Sequence, residues 1–127
     1  MNIPSDLKYT KDHEWIRVEG DIATVGITDY AQNELGDIIF LDITSTLGDS
    51  IKAGVELGTI EAVKTVSEII SPADGLITGI NEQINENPSV VNTDPYNEGW
   101  MVKIKLDNKF DRSSFLSDSE YKELIGI

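Results

Sequence analysis

The chain has 127 residues, with 10 basic side chains against 23 acidic ones and a formal charge of −13. The absence of cysteine excludes disulfides, thiolate metal ligation and a thiol nucleophile. The acid excess has the wrong sign for nucleic acid, which is bound by neutralising phosphates, and for an anionic membrane surface. It suits solubility through mutual repulsion, or an acidic face that meets basic partner proteins. The length is that of one domain, residues 1–127, able to bury roughly two-thirds of its unfolded surface. Met1-Asn2-Ile3-Pro4-Ser5-Asp6 shows neither a basic region leading into an apolar run nor an Arg-rich leader. No stretch approaches the ~20 apolar residues of a membrane span. The expectation is a soluble bacterial cytoplasmic protein, or a mitochondrial one whose transit peptide has been removed.

Residues 13–28 read as a hairpin. Ile16 and Val18 alternate with Trp15, Arg17 and Glu19, Gly20-Asp21 makes the turn, and Ala23, Val25 and Ile27 continue the pattern. Thr28 or Asp29 then caps a short helix near 29–35, which Gly36 stops. Asp37 to Thr44 is a strand, and its nearly continuous apolar run predicts cover on both faces. Turns follow at Leu47-Gly48-Asp49 and Gly54, with Ile51–Gly54 as a connector. Pro72 with Asp74-Gly75 turns the chain into a strand over Leu76–Ile80. The Asn- and Pro-rich stretch 85–95 predicts loop. Trp100 to Leu106 alternates, with Met101, Lys103 and Lys105 on one face and Trp100, Val102, Ile104 and Leu106 on the other. Ser117-Asp118-Ser119-Glu120 matches a capping box, and Leu116 is placed to staple against Tyr121. That predicts a C-terminal helix near 118–125. These elements describe a mainly β fold, a sandwich or flattened barrel of hairpins with two helices outside it.

Thr59 to Ser71 poses a geometric problem. It contains no Gly, Pro or Asn and is rich in β-branched residues. As one strand it would span roughly 40 Å, whereas a compact chain of this length has a radius of gyration near ~14 Å. It must therefore fold back, with its tip at Lys64-Thr65. No turn-favouring residue stands there, so the tip residues serve something other than turn stability. A lysine at such a tip has an accessible amine on a flexible stem and suits acylation. The plainer alternative is that Lys64 is one of eight surface lysines.

Glu61-Ala62-Val63-Lys64, with Leu57-Gly58-Thr59-Ile60 before it and Ser67-Glu68-Ile69-Ile70-Ser71-Pro72 after it, resembles the lipoyl-lysine motif of the glycine cleavage system H-protein, a lipoyl-carrier family. The resemblance covers nearly the whole chain. Lys8-Tyr9-Thr10-Lys11-Asp12-His13-Glu14-Trp15 is similar to the family's first strand. Val25 to Gln32 and Leu35-Gly36-Asp37-Ile38 are similar to its first helix and the next strand. Val91-Asn92-Thr93-Asp94-Pro95-Tyr96 and Gly99 to Ile104 look like its closing loop and strand. Two positions depart from the pattern. Ala62 stands where Ser is common, which bears on how a lipoylating enzyme reads the hairpin. Thr44-Ser45-Thr46 replaces a Pro-containing surface loop.

The resemblance implies a lipoyl-domain-like barrel-sandwich hybrid and lipoate attached covalently to Lys64. It implies a carrier with no active site of its own. The aminomethyl group of glycine would pass from a PLP-dependent glycine decarboxylase to a tetrahydrofolate-dependent aminomethyltransferase. A dihydrolipoyl dehydrogenase would reoxidise the arm. It also implies that Glu14 and Glu68 help hold the aminomethyl ammonium in a surface cleft; both are otherwise ordinary exposed carboxylates. Glu61 and Glu68 flank the lysine, and either guide the lipoylating enzyme or solubilise the hairpin. His13 is the only histidine, so Ser-His chemistry and a multi-histidine metal site are not expected. Biotin fits poorly, because Val63 and Thr65 rather than methionines flank the lysine. A lipoyl-relay donor to 2-oxoacid dehydrogenases and an acidic interaction module without cofactor remain as alternatives.

Overall fold

The structure, a computed structural model, describes residues 1–127. Its strands are β1 (Lys8–Tyr9), β2 (Glu14–Glu19), β3 (Ile22–Ile27), β4 (Ile38–Ile43), β5 (Ser50–Ile51), β6 (Glu56–Ala62), β7 (Val66–Ile70), β8 (Gly75–Ile80) and β9 (Val102–Leu106). Helices α1 (Asp29–Leu35), α2 (Gln83–Glu86), α3 (Ser89–Thr93) and α4 (Asp118–Ile125) lie between and after them. One antiparallel sheet has the order β1-β2-β3-β9-β8-β5 and the other β4-β6-β7. The two sheets stay separate, as in an open sandwich, and the main core lies between them. Ile16, Val25, Leu41, Leu57, Ile60, Ile77 and Ile104 are among its members.

The first hairpin forms as its alternation dictates, with Glu19 opposite Ile22 across the Gly20-Asp21 turn. Thr28 caps α1 by accepting from Ala31 N–H, and Gly36 closes it at φ 78°. A side chain there would be strained, so glycine is required. The C-terminal capping box is complete, because Ser117 and Glu120 each accept from the other's backbone N–H. A second apolar cluster seals the N-terminal side, built from Ile3, Leu7, Tyr9, Trp15, Tyr96 and Tyr121. The Trp15 indole N–H donates to the Pro95 carbonyl at 2.8 Å. The ring lies so close to Gly26 that a Cβ would sit 2.6 Å from Nε1.

Four expectations need correction. The segment similar to the family's first strand is two strands, β1 and β2, separated by a turn in which His13 N–H donates to the Thr10 carbonyl. Strand β4 is not covered on both faces: Ile39 is 59% exposed and Phe40 51%. The register against β6 slips between Ile38 and Phe40, and that bulge breaks the alternation and turns both residues outward. The stretch 85–95 is not simply loop. It overlaps the two single-turn helices α2 and α3, held by burial of Ile84 and Val91. Met101 is fully buried rather than sharing the solvent face of Lys103 and Lys105, because the strand begins only at Val102.

Strands β4 and β6 approach closely at Gly58, where a Cβ would overlap the Asp42 carbonyl oxygen. Gly58→Ala should therefore lower stability by about 1–3 kcal/mol through forced strand separation. A urea unfolding midpoint equal to that of the parent would contradict this contact.

Candidate functional site

Strands β6 and β7 form the hairpin that carries Lys64, with Ile60 opposite Ser67 and Glu61 opposite Val66. The apex holds together without glycine because none of its residues has a positive φ. Ala62 N–H donates to the Thr65 carbonyl at 2.8 Å, and Val63 N–H donates to the Asp37 carbonyl at 3.0 Å. The second bond ties the tip to the corner between α1 and β4. Lys64 is exposed. Its stem runs over Gly36, where an added Cβ would lie 3.8 Å from the lysine Cε.

Asn92 supports that corner from behind. Its amide donates to the Gly36 carbonyl at 2.9 Å and to Gln32 Oε1 at 3.0 Å, and its oxygen accepts from Ile38 N–H at 2.9 Å. The sequence marked Asn92 only as part of a familiar stretch. Its structural task is to satisfy the backbone of the turn on which the lysine stem rests.

A cavity of about 320 Å³ opens between α1, β7 and the turn before β2. Tyr30, Glu34 and Leu35 line it from α1, and Ser67 and Glu68 from β7. Asp12, His13 and Glu14 line it from the turn and the start of β2. Tyr30 and Glu34 lie four residues apart on one helix face, a spacing that sequence alone contains. The last turn of α1 thus borders the cavity and runs directly into the Gly36 corner under Lys64. The structure brings Glu14 and Glu68 to the same cavity. Glu61 is an exposed residue of β6 outside the lining.

The two carboxylates differ in kind. Glu68 is exposed at the rim, whereas Glu14 is only 3% exposed. Glu14 Oε1 accepts a long hydrogen bond from the Thr10 hydroxyl at 3.2 Å. Its Oε2 is buried with no partner. Removal from water pushes the carboxyl up from its ordinary 4.5 to about 8, with the Thr10 bond opposing and Asp12 adding to the rise. Burial therefore favours the protonated form of Glu14.

His13 closes the floor in an unusual conformation, with φ 66°. Its Nδ1 lies 2.9 Å from the Tyr121 hydroxyl, which lies 2.7 Å from Thr28 Oγ1. Burial lowers the imidazole below its ordinary 6.5, while Asp12 and Glu34 oppose this. Tyr121 is pushed up to about 12 by burial, so it stays a hydroxyl. It also stacks on Tyr9, with ring centroids 4.8 Å apart. Helix α4 is thereby bonded to the cavity wall, a link across 108 positions that no local pattern announces.

The raised Glu14 carboxyl makes folding prefer its protonated form. That stability is fully present below the unfolded value near 4.5 and is lost as pH rises to about 8. The loss runs at about 1.4 kcal/mol per pH unit. Glu14→Gln should gain stability relative to the parent across this window and hold a constant advantage above it. Urea midpoints measured from pH 4 to 9 check this; parallel profiles for the two proteins would contradict it.

The chain matches the family model described as glycine cleavage H-protein over residues 7–126. It is 53% identical over 125 residues to the glycine cleavage system H protein of Bacteroides thetaiotaomicron, covering 98% of each chain. It is 48% identical over 126 residues to that of Staphylococcus carnosus, covering 99% of each. The crystal structure of a glycine cleavage system H protein from Mycobacterium marinum superposes with a TM-score of 0.88 at 37% identity, covering 98% of this chain and 100% of that one. These relatives favour neither the cofactor-free interaction module nor the lipoyl-relay role. Matched over nearly its full length in sequence and in backbone, the chain belongs to the glycine cleavage H-protein family.

Proposed function

We propose that residues 1–127 form a single carrier domain working in the bacterial cytoplasm, with lipoate attached to Lys64, and that the domain itself is not a catalyst. The observation that supports this best is the pairing of an exposed Lys64 at a pinned apex with a cavity lined by a buried carboxyl, one of whose oxygens has no partner. The residues present fit the group. The amine is reachable by a lipoylating enzyme, and the bond from Val63 to Asp37 fixes the direction in which the stem leaves. When bound, a lipoyl group supplies a disulfide that accepts a one-carbon amine unit and returns as a dithiol.

The residues of this chain then orient and protect. Gly36 leaves room for the lysine stem over the end of α1, and Leu35 and Glu34 lead from there to the cavity. Glu68 at the rim draws a primary ammonium inward by charge attraction where water is partly excluded, and Glu14 offers it a buried oxygen that has no other partner. Ile27, Ala31, Ile60 and Ile69 give the cavity its apolar part and keep water from the cargo. Glu61 stands on the solvent side of the hairpin, where a lipoylating enzyme approaches.

The proposed partners are the PLP-dependent glycine decarboxylase, the aminomethyltransferase and the dihydrolipoyl dehydrogenase, together with a lipoylating enzyme. Each works on a group at the end of one tether, and tethering raises its local concentration at each visited site. No helix is long and apolar enough to cross a membrane.

Intact mass of the chain expressed in a lipoate-replete host should show one lipoyl addition, abolished by Lys64→Arg. The lipoylated form should accept the aminomethyl group in a reaction with purified glycine decarboxylase. An unmodified parent chain, or a lipoylated one that never accepts the group, would refute the proposal.

A further inference from the structure

We propose that the cavity exchanges a proton for its cation: a primary ammonium docking there displaces the proton of Glu14, so the docked pair keeps one proton where the separated groups hold two. This rests on the carrier reading and adds a proton balance to it. The geometry carries it. Glu14 lines the cavity, and its Oε2 is buried with no partner within the protein. No lysine or arginine pairs with it, since the only ion pair in the structure joins Lys122 to Asp118. A buried carboxyl without a counter-charge is held neutral by the cost of removing a charge from water. The raised titration of Glu14, to about 8, accords with that geometry.

Every other polar or ionisable neighbour facing the cavity leaves this assignment in place. From the turn before β2 come Asp12 and His13, from α1 Tyr30 and Glu34, and from β7 Ser67 and Glu68. None is a fixed cation. His13 is the one group able to become cationic there, and its burial disfavours that form, with Asp12 and Glu34 opposing. Asp12 strengthens the hold of Glu14 on its proton, and Asp12, Glu34 and Glu68 together add negative potential that attracts an arriving ammonium.

The balance is explicit. A carboxyl and an ammonium, each protonated, meet; the carboxyl O–H bond breaks, the proton leaves to solvent, and a carboxylate–ammonium pair remains. Should the amine arrive unprotonated, the Glu14 proton moves to it and none leaves. The docked state therefore holds one proton in either case. Below both titration midpoints, docking tightens about tenfold per pH unit, because one proton is released. Between them it is level. Above both it weakens, because a proton must be taken up.

Two measurements test this. In the chain without lipoate, the Glu14 side-chain carboxyl carbon, followed by carbon-13 NMR, should titrate well above the ordinary carboxylate range. In the loaded lipoyl protein, the lifetime of the bound aminomethyl group against water should be compared with that of Glu14→Gln from pH 6 to 9. The ratio of parent to variant cancels the intrinsic pH dependence of the adduct. It should rise with pH by up to tenfold per unit on the acid side and then level off. A ratio constant across the range, or a Glu14 carbon titrating as an ordinary carboxylate, overturns the exchange while leaving the carrier reading intact. Failure to acquire lipoate or the aminomethyl group overturns both.

Discussion

A single backbone hydrogen bond, Val63 N–H to the Asp37 carbonyl at 3.0 Å, governs how this chain presents its lysine. A hairpin tip without glycine or asparagine has little intrinsic reason to hold one shape. Here the shape is imposed from outside, by the corner that joins the first helix to β4. That corner is itself held from behind by Asn92, whose amide and carbonyl groups bond to Gly36, Gln32 and Ile38. The positive φ of Gly36 and the missing side chain beneath the lysine stem belong to the same arrangement. A flexible tether is thus anchored at a rigid point, and its reach is defined from there.

The cavity follows the opposite logic. Most buried polar atoms find partners, and Glu14 Oε2 does not. Isolated stability would favour an apolar residue or a paired one at that position. A carboxyl kept dry and half-satisfied is a local conflict of the kind proteins tolerate where a ligand later resolves it. The left-handed His13 immediately before it is a second such departure. Two departures from local rule stand side by side on the wall of one cavity, in accord with the role proposed for it.

Much of the architecture was legible in the residues. The first hairpin, both principal helices and the lysine apex followed from alternation, capping residues and the excessive length of an unbroken strand. The misses share a cause, which is that tertiary contacts decided what local pattern left undecided. The bulge at Ile39 is invisible in a continuous apolar run, because only pairing with β6 reveals the register slip. The helices that overlap 85–95 exist because Ile84 and Val91 are buried, against a composition that favours turns. At the site, Lys64, Glu14, Glu61 and Glu68 were visible as candidates by resemblance. The burial that separates Glu14 from the other two carboxylates was not, since a glutamate opening a strand ordinarily faces water. Asn92 and Tyr121 lay beyond reach for a similar reason, as their partners are distant in the chain.

The bond from Tyr121 to His13 has a consequence for how the cavity keeps its shape. His13 lines the cavity, whereas no residue of α4 does. Tyr121 is fully buried, stacks on Tyr9 and reaches Thr28 at the start of the first helix. A change that shifts α4 would therefore be felt at the cavity, although that helix contributes nothing to its lining.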